Sequence, residues 1–198
     1  MSAYVIGFYG HSNSGKTTVI VRLIQRLTKE GYKVATIKHT HKKIGFDSQG
    51  TDTWKHGNAG ASVTVFSSPI ETDILVKKNF SVQETIHHLS TIDSYDCIII
   101  EGVNDPTLQK IRVGTVKKRK NTLWDYQGDF KSLVDYIKNN IKAYKKQEDI
   151  RAVSICINGS QIPLTEFPST VIKNTILGLL QSLKGVRNIH TVDLHIRQ

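Results

Sequence analysis

YVIGFYGHSNSGKTTVIVRLIQRL, residues 4–27, carries the pattern of a strand, a glycine-rich turn and a helix. Tyr4 to Tyr9 is an apolar run of the length of a buried strand, and it stops at Gly10. Beyond Lys16 the apolar residues Ile20, Leu23, Ile24 and Leu27 recur at i, i+3, i+4 and i+7, the stripe of an amphipathic helix. Between them, Gly10-His11-Ser12-Asn13-Ser14-Gly15-Lys16-Thr17-Thr18 matches G-x-x-x-x-G-K-[ST] in the context its mechanism requires, after a strand and opening a helix. The glycines let the backbone wrap a polyphosphate, and successive N–H groups form an anion nest. The helix N-terminus adds partial positive charge. Lys16 supplies a full charge for the β and γ phosphates, and the Thr17 hydroxyl can ligate Mg²⁺.

Gly31 reads as a C-cap, and Lys33 to Lys38 as a second strand. Strand, glycine turn, helix and strand predict an α/β fold with a mostly parallel sheet flanked by helices. Residues 39–57 are polar and irregular and read as a long loop. Ser62 to Phe66 and Thr72 to Val76 predict two strands around a turn containing Pro69. Ser81 with Glu84 has capping-box spacing for a helix to about Leu89. Cys97 to Ile100 is an apolar strand leading to Glu101-Gly102, and Lys110 to Val116 reads as another. Phe130, Leu133, Val134, Ile137, Ile141 and Tyr144 form one face of a further helix.

The lysine-rich segment 142–149 reads as a boundary, dividing a nucleotide-binding domain over residues 1–148 from a small C-terminal α+β extension over 149–198 packed on it. In that extension a strand at Val153 to Ile157, an Asn158-Gly159 turn, a helix from Glu166 to Leu183 and a strand at Ile189 to Ile196 are expected.

A buried strand ending in a carboxylate is where open α/β sheets place ligands, so Glu101 is the candidate to hold Mg²⁺ or polarise an attacking water. Asp52 follows the second strand on the same sheet edge and is a candidate for the metal or for a loop ordered by the γ-phosphate, with an Asx-turn role as the alternative. For Asp47 the turn role is favoured. His39 and His41 have H-x-H spacing without an evident third ligand, so hydrogen bonding to phosphate or to a partner's anionic ligand, or a plain polar-loop role, is expected rather than zinc binding. Trp54 in the long loop is a candidate to cover a base or pterin ring.

The chain has 27 Lys+Arg against 17 Asp+Glu, a net charge of +10 that favours anionic partners. The runs Lys42-Lys43, Lys117 to Lys120 and Lys145-Lys146 read as solvated surface or as steering for a phosphorylated ligand. No aromatic-basic alternation suggests a nucleic-acid platform. The two cysteines, Cys97 and Cys156, sit in apolar runs and make neither a disulfide framework nor a zinc site. No apolar run has the ~20 residues of a membrane span and the start lacks a signal peptide, so a soluble cytoplasmic protein is expected.

The phosphate loop, Thr36-Ile37-Lys38-His39-Thr40-His41, Phe46-Asp47, Gly50-Thr51-Asp52-Thr53 and Ala59-Gly60-Ala61 together resemble the molybdopterin-guanine dinucleotide biosynthesis protein B (MobB) family. Ile98-Ile99-Ile100-Glu101-Gly102 and Lys110-Ile111-Arg112-Val113 fit the same pattern, over about residues 1 to 145. The resemblance implies a P-loop, GTP-binding homodimer with weak Mg²⁺-dependent GTPase activity. It also implies a role as adapter to a MobA-like molybdenum cofactor guanylyltransferase, with molybdopterin as a further contact. Carried over by position, Gly10, Ser12, Asn13, Ser14, Gly15, Lys16, Thr17 and Thr18 would bind the phosphates. Glu101 would serve the metal, Asp52 would belong to the loop over the nucleotide, and Lys38, His39 and His41 would sit by the same pocket. Where the family often reads E-G-F-K, this chain has Glu101-Gly102-Val103-Asn104. There is no N-K-x-D, so guanine specificity comes from the resemblance alone. The alternatives are a P-loop small-molecule kinase using ATP or GTP, with Asp52 or Glu101 as base, and a basic nucleic-acid-binding module.

Overall fold

The computed structural model describes residues 3–151, 153, 155–157, 160–162, 164–186, 189, 192 and 194. Strand β1 (Tyr4–Tyr9) leads through the glycine loop into helix α1 (Lys16–Lys29), followed by β2 (Val34–Lys38). Helix α1 ends in a Schellman motif: the Gly31 N–H reaches Thr28 O and the Tyr32 N–H reaches Leu27 O, with Gly31 at φ 85°. The remaining strands of the main sheet are β5 (Cys97–Glu101), β6 (Lys110–Val113) and β7 (Thr122–Tyr126). Their order is β2-β5-β1-β6-β7, and every neighbouring pair is parallel.

Alternation along β1 divides the core. Tyr4, Ile6 and Phe8 face α1 through Val19, Ile20, Leu23 and Leu27. On the same face lies helix α4 (Phe130–Arg151) with Leu133, Val134, Ile137 and Ile141. Val5, Ile98, Ile100 and Val103 form the opposite layer with Val82, Ile86 and Leu89 of α3 (Val82–Ile92). Both halves of the Ser81–Glu84 capping box are present at the start of α3.

A short helix, α2 (Asp52–Asn58), corrects the expectation that residues 39–57 are irregular. The Thr51 hydroxyl caps it by accepting the Trp54 N–H at 3.2 Å. Strands β3 (Val63–Ser67) and β4 (Thr72–Val76) form a separate antiparallel hairpin. Its pairs Val63–Val76 and Val65–Ile74 present apolar side chains that stay substantially exposed.

Strand β6 stops at Val113 rather than Val116, and β7 was not anticipated. Residues 114–121 join two parallel neighbours without a helix, shorter than the roughly twelve residues such a crossover normally takes. The connection crosses the sheet face instead. Arg119 stacks on the Tyr9 ring at 4.7 Å and donates to Val103 O, while its backbone N–H donates to the Tyr9 hydroxyl. The Lys117–Lys120 cluster is therefore a strap with one cation turned inward, rather than wholly solvated surface.

Helix α4 runs through the lysine-rich segment to Arg151, so residues 142–149 are helical. Beyond it, β8 (Ile155–Ile157) and β9 (Ser160–Ile162) pair as a hairpin, and α5 (Glu166–Gln181) packs against α4. The Asn158-Gly159 turn lies outside the described residues, as does most of the expected 189–196 strand. No helix among the described residues is long and apolar enough to cross a membrane.

Asp96, just before β5, ties three elements together. Its carboxylate accepts the Lys33 N–H at 2.6 Å and pairs with Lys145 of α4. Burial works against its charge, but the hydrogen bonds from Lys145 and the Lys33 amide, with their charges, outweigh it and hold its pKa below the usual value. Asp96→Asn is expected to cost about 1–2 kcal/mol near neutral pH. A depressed folded pKa contributes stability that is full above the unfolded value of about 4 and is lost as pH falls through the folded value. Thermal melts should therefore show the two proteins converging in acid. A gap that persisted at low pH would count against the charged contact as its source.

Candidate nucleotide-binding site

The phosphate loop sits at the C-terminal ends of the central strands. Gly15 is the N-cap of α1 at φ 82° and offers no side-chain acceptor, and the first turn of α1 contains no acidic residue. Asn13 also has positive φ, 62°, as the tight wrap of an anion nest demands. Gly10 is held close to the neighbouring strand: a Cβ there would lie 2.2 Å from Val113 O and 2.7 Å from Ser14 Oγ. The Lys16 ammonium folds back across the loop, donating to His11 O and to Ser14 Oγ at 3.3 Å. Burial lowers its pKa below the ordinary lysine value, with Glu101 opposing and Lys38 reinforcing the shift.

The parallel register brings the acidic strand to this loop. Glu101 is the partner of Phe8 on one side and of Lys38 on the other. The ladder continues past the strand ends, with the His39 N–H on Glu101 O at 2.8 Å and the Gly102 N–H on Phe8 O at 2.8 Å. The Glu101 side chain is only 12% exposed. Its Oε1 accepts the Thr17 hydroxyl proton at 3.0 Å and also pairs with the Lys38 ammonium.

Thr17 and Glu101 therefore converge as hard oxygen donors, and a cationic ammonium already rests on one of them. That chemistry fits Mg²⁺, which takes one or two protein oxygens and completes its shell with phosphate and water. The nearby loop after Gly102 is stapled by the fully buried Lys110, whose ammonium donates to Asp105 O and to Leu108 O at 2.7 Å.

Other sequence candidates lie apart. Asp52 is in the first turn of α2, its side chain 86% exposed and paired with Lys55 at 3.0 Å, with no contact to Thr17 or Glu101. Asp47 Oδ1 accepts from Thr51 and Thr53, which is the turn role. Trp54 is half-buried in α2. The rings of His39 and His41 meet edge to face at 5.1 Å, and no group of three His, Cys, Asp or Glu that could hold a metal occurs among the described residues.

Sequence reasoning missed the clamp on Tyr9, the strand residue that precedes the loop. Its hydroxyl also lies 2.7 Å from Thr122 Oγ1. Arg112 makes a two-point pair with Asp125 of β7 beside it. The β-branched and aromatic residues Thr122, Trp124 and Tyr126 at every second position were the local signal for that strand.

Among known proteins, the family model described as MobB, molybdopterin guanine dinucleotide synthesis protein B, matches residues 5–135. A Methanocaldococcus jannaschii protein, provisionally named a molybdopterin-guanine dinucleotide biosynthesis adapter protein, is 25% identical across 97% of each chain. The Haemophilus influenzae molybdopterin-guanine dinucleotide biosynthesis adapter protein is 29% identical over 54% of this chain and 61% of its own length. The crystal structure of Bacillus subtilis MobB superposes with a TM-score of 0.56 at 23% identity, covering 69% of this chain and 97% of that one.

Proposed function

Since the chain belongs to the family of molybdopterin guanine dinucleotide synthesis protein B, we propose that it is a GTP-binding adapter in molybdenum cofactor biosynthesis, acting with a guanylyltransferase. The observation that carries this reading is the convergence of Lys16, Thr17 and Glu101 at the N-terminus of α1. Phosphates would lie on the amides of the loop and first helical turn, with Lys16 swinging from His11 O and Ser14 Oγ onto them. Thr17 and Glu101 would hold Mg²⁺, which when bound neutralises phosphate charge and fixes the phosphate geometry. Glu101 would also orient a water for slow hydrolysis. Asp52, if it takes part, must do so by movement of α2, since at rest it points to Lys55 and solvent.

Guanine preference comes from the family rather than from an N-K-x-D motif. The adapter role follows the names of the relatives, and the exposed apolar face of the β3–β4 hairpin supports self-association into a homodimer. Cytoplasmic location follows from the same role.

Calorimetric titration of GTP, GDP and ATP in the presence of Mg²⁺ tests the reading. GTP is expected to bind at least about tenfold tighter than ATP, a difference of about 1.4 kcal/mol. A preference for ATP, with turnover accelerated by a hydroxyl acceptor, would replace the adapter by the kinase alternative.

A further inference from the structure

Among the described residues, Lys38 is the cation paired with Glu101. Its ammonium pairs with Glu101 Oε1, the oxygen that also receives the Thr17 hydroxyl proton. The pairing is set by the backbone, because Lys38 and Glu101 are register partners on adjacent parallel strands. The two members differ in freedom. Glu101 is 12% exposed and held by the ladder, whereas the Lys38 side chain is 63% exposed and can leave. Lys16, by contrast, is engaged within the loop on His11 O and Ser14 Oγ.

We infer that Lys38 is the resident counter-cation of the divalent-metal position, neutralising Glu101 when no metal is bound and yielding its place when Mg²⁺ arrives with nucleotide. The inference rests on the nucleotide-binding reading for its biological setting, but its central exchange involves only Lys38, Glu101 and a divalent cation. A nearly buried carboxylate beside the phosphate loop would otherwise repel the terminal phosphates and stand uncompensated. With Lys38 present, the metal must displace an ammonium; without it, the metal meets a free carboxylate and one fewer positive charge.

The test uses the full chain carrying Lys38→Met, which keeps an unbranched stem and removes the charge. Mn²⁺ alone, a paramagnetic stand-in for Mg²⁺, is titrated into nucleotide-free protein and followed by electron paramagnetic resonance. Lys38→Met is expected to bind Mn²⁺ about tenfold more tightly than the parent, from removal of a charge a few ångströms away. Adding Glu101→Gln should abolish that gain. Lys38→Arg, which keeps the charge, should behave as the parent. Equal Mn²⁺ affinity in parent and Lys38→Met overturns the inference, and so does an Arg variant that matches the Met variant.

GTP affinity measured in excess EDTA and in saturating Mg²⁺ gives a second readout. Lys38→Met should weaken metal-free binding about tenfold and leave the Mg²⁺-supported affinity nearly unchanged, since only the metal-free state needs the ammonium. An equal loss under both conditions would make Lys38 an ordinary phosphate ligand and overturn the exchange. If the parent binds no nucleotide while the Mn²⁺ result is as expected, the nucleotide reading fails and the exchange stands. If GTP binds normally and the Mn²⁺ affinities are equal, the reverse holds.

Discussion

Lys16→Ala is expected to reduce GTP affinity at least about a hundredfold while leaving the melting temperature within a few degrees of the parent. The ammonium is the only full positive charge within the loop, and charge-assisted contacts to phosphate are roughly twice as strong as neutral hydrogen bonds. Losing two such contacts amounts to about 3 kcal/mol, which is the hundredfold. The folded state loses little, because among the described residues the Lys16 ammonium hydrogen-bonds to His11 O and Ser14 Oγ, both within the same loop. Alanine also suits the first turn of α1, so no helix is forfeited. Calorimetry and a thermal melt on the same sample decide the matter. A large fall in melting temperature would mean that lost affinity reports unfolding, and unchanged affinity would remove the phosphate loop from the binding site.

Gly102→Ala is expected to have the largest effect on stability, about 3 kcal/mol, lowering the melting temperature by roughly 6–12 °C. Two costs act together. Gly102 has φ 86°, a region that an alanine occupies only at a cost of about 1–2 kcal/mol. Its new Cβ would also lie 2.4 Å from His39 O, a backbone atom that cannot rotate away. Relief requires the ends of β2 and β5 to separate where Lys38 and Glu101 pair, so metal-supported nucleotide binding should weaken too. The check is a thermal melt together with a Mg²⁺-dependent GTP titration. A variant as stable as the parent would show that the close approach of residues 39 and 102 relaxes freely.

The segment that binds phosphate was legible because its requirements are local. Positive φ at Gly15, a lysine at the first helical position and a threonine beside it are properties of a few consecutive residues. The same holds for the Gly31 cap and the Ser81–Glu84 box, where the partners are three to five residues apart. The Thr51 cap was equally local, but it was overlooked because α2 carries no buried apolar face and so has no helical stripe to betray it. Strand β7 escaped for a related reason: its side chains are at best partly buried, which leaves it weakly patterned at the sheet edge.

The strand–loop–helix unit, the strand-end carboxylate Glu101 and the parallel α/β class could all be read from consecutive residues, because hydrophobic period and turn chemistry act over short distances. Which cation meets that carboxylate depends on long-range packing. Insertion of β5 between β1 and β2 sets Glu101 opposite Lys38 and brings it to Thr17, although residues 38 and 101 are far apart in the chain. The same strand order leaves Asp52 outside, on an exposed helix paired with Lys55, where its position after the second strand left the metal and turn roles evenly weighed. Strand order and register are long-range choices made by packing both sheet faces at once, and no local pattern carries them.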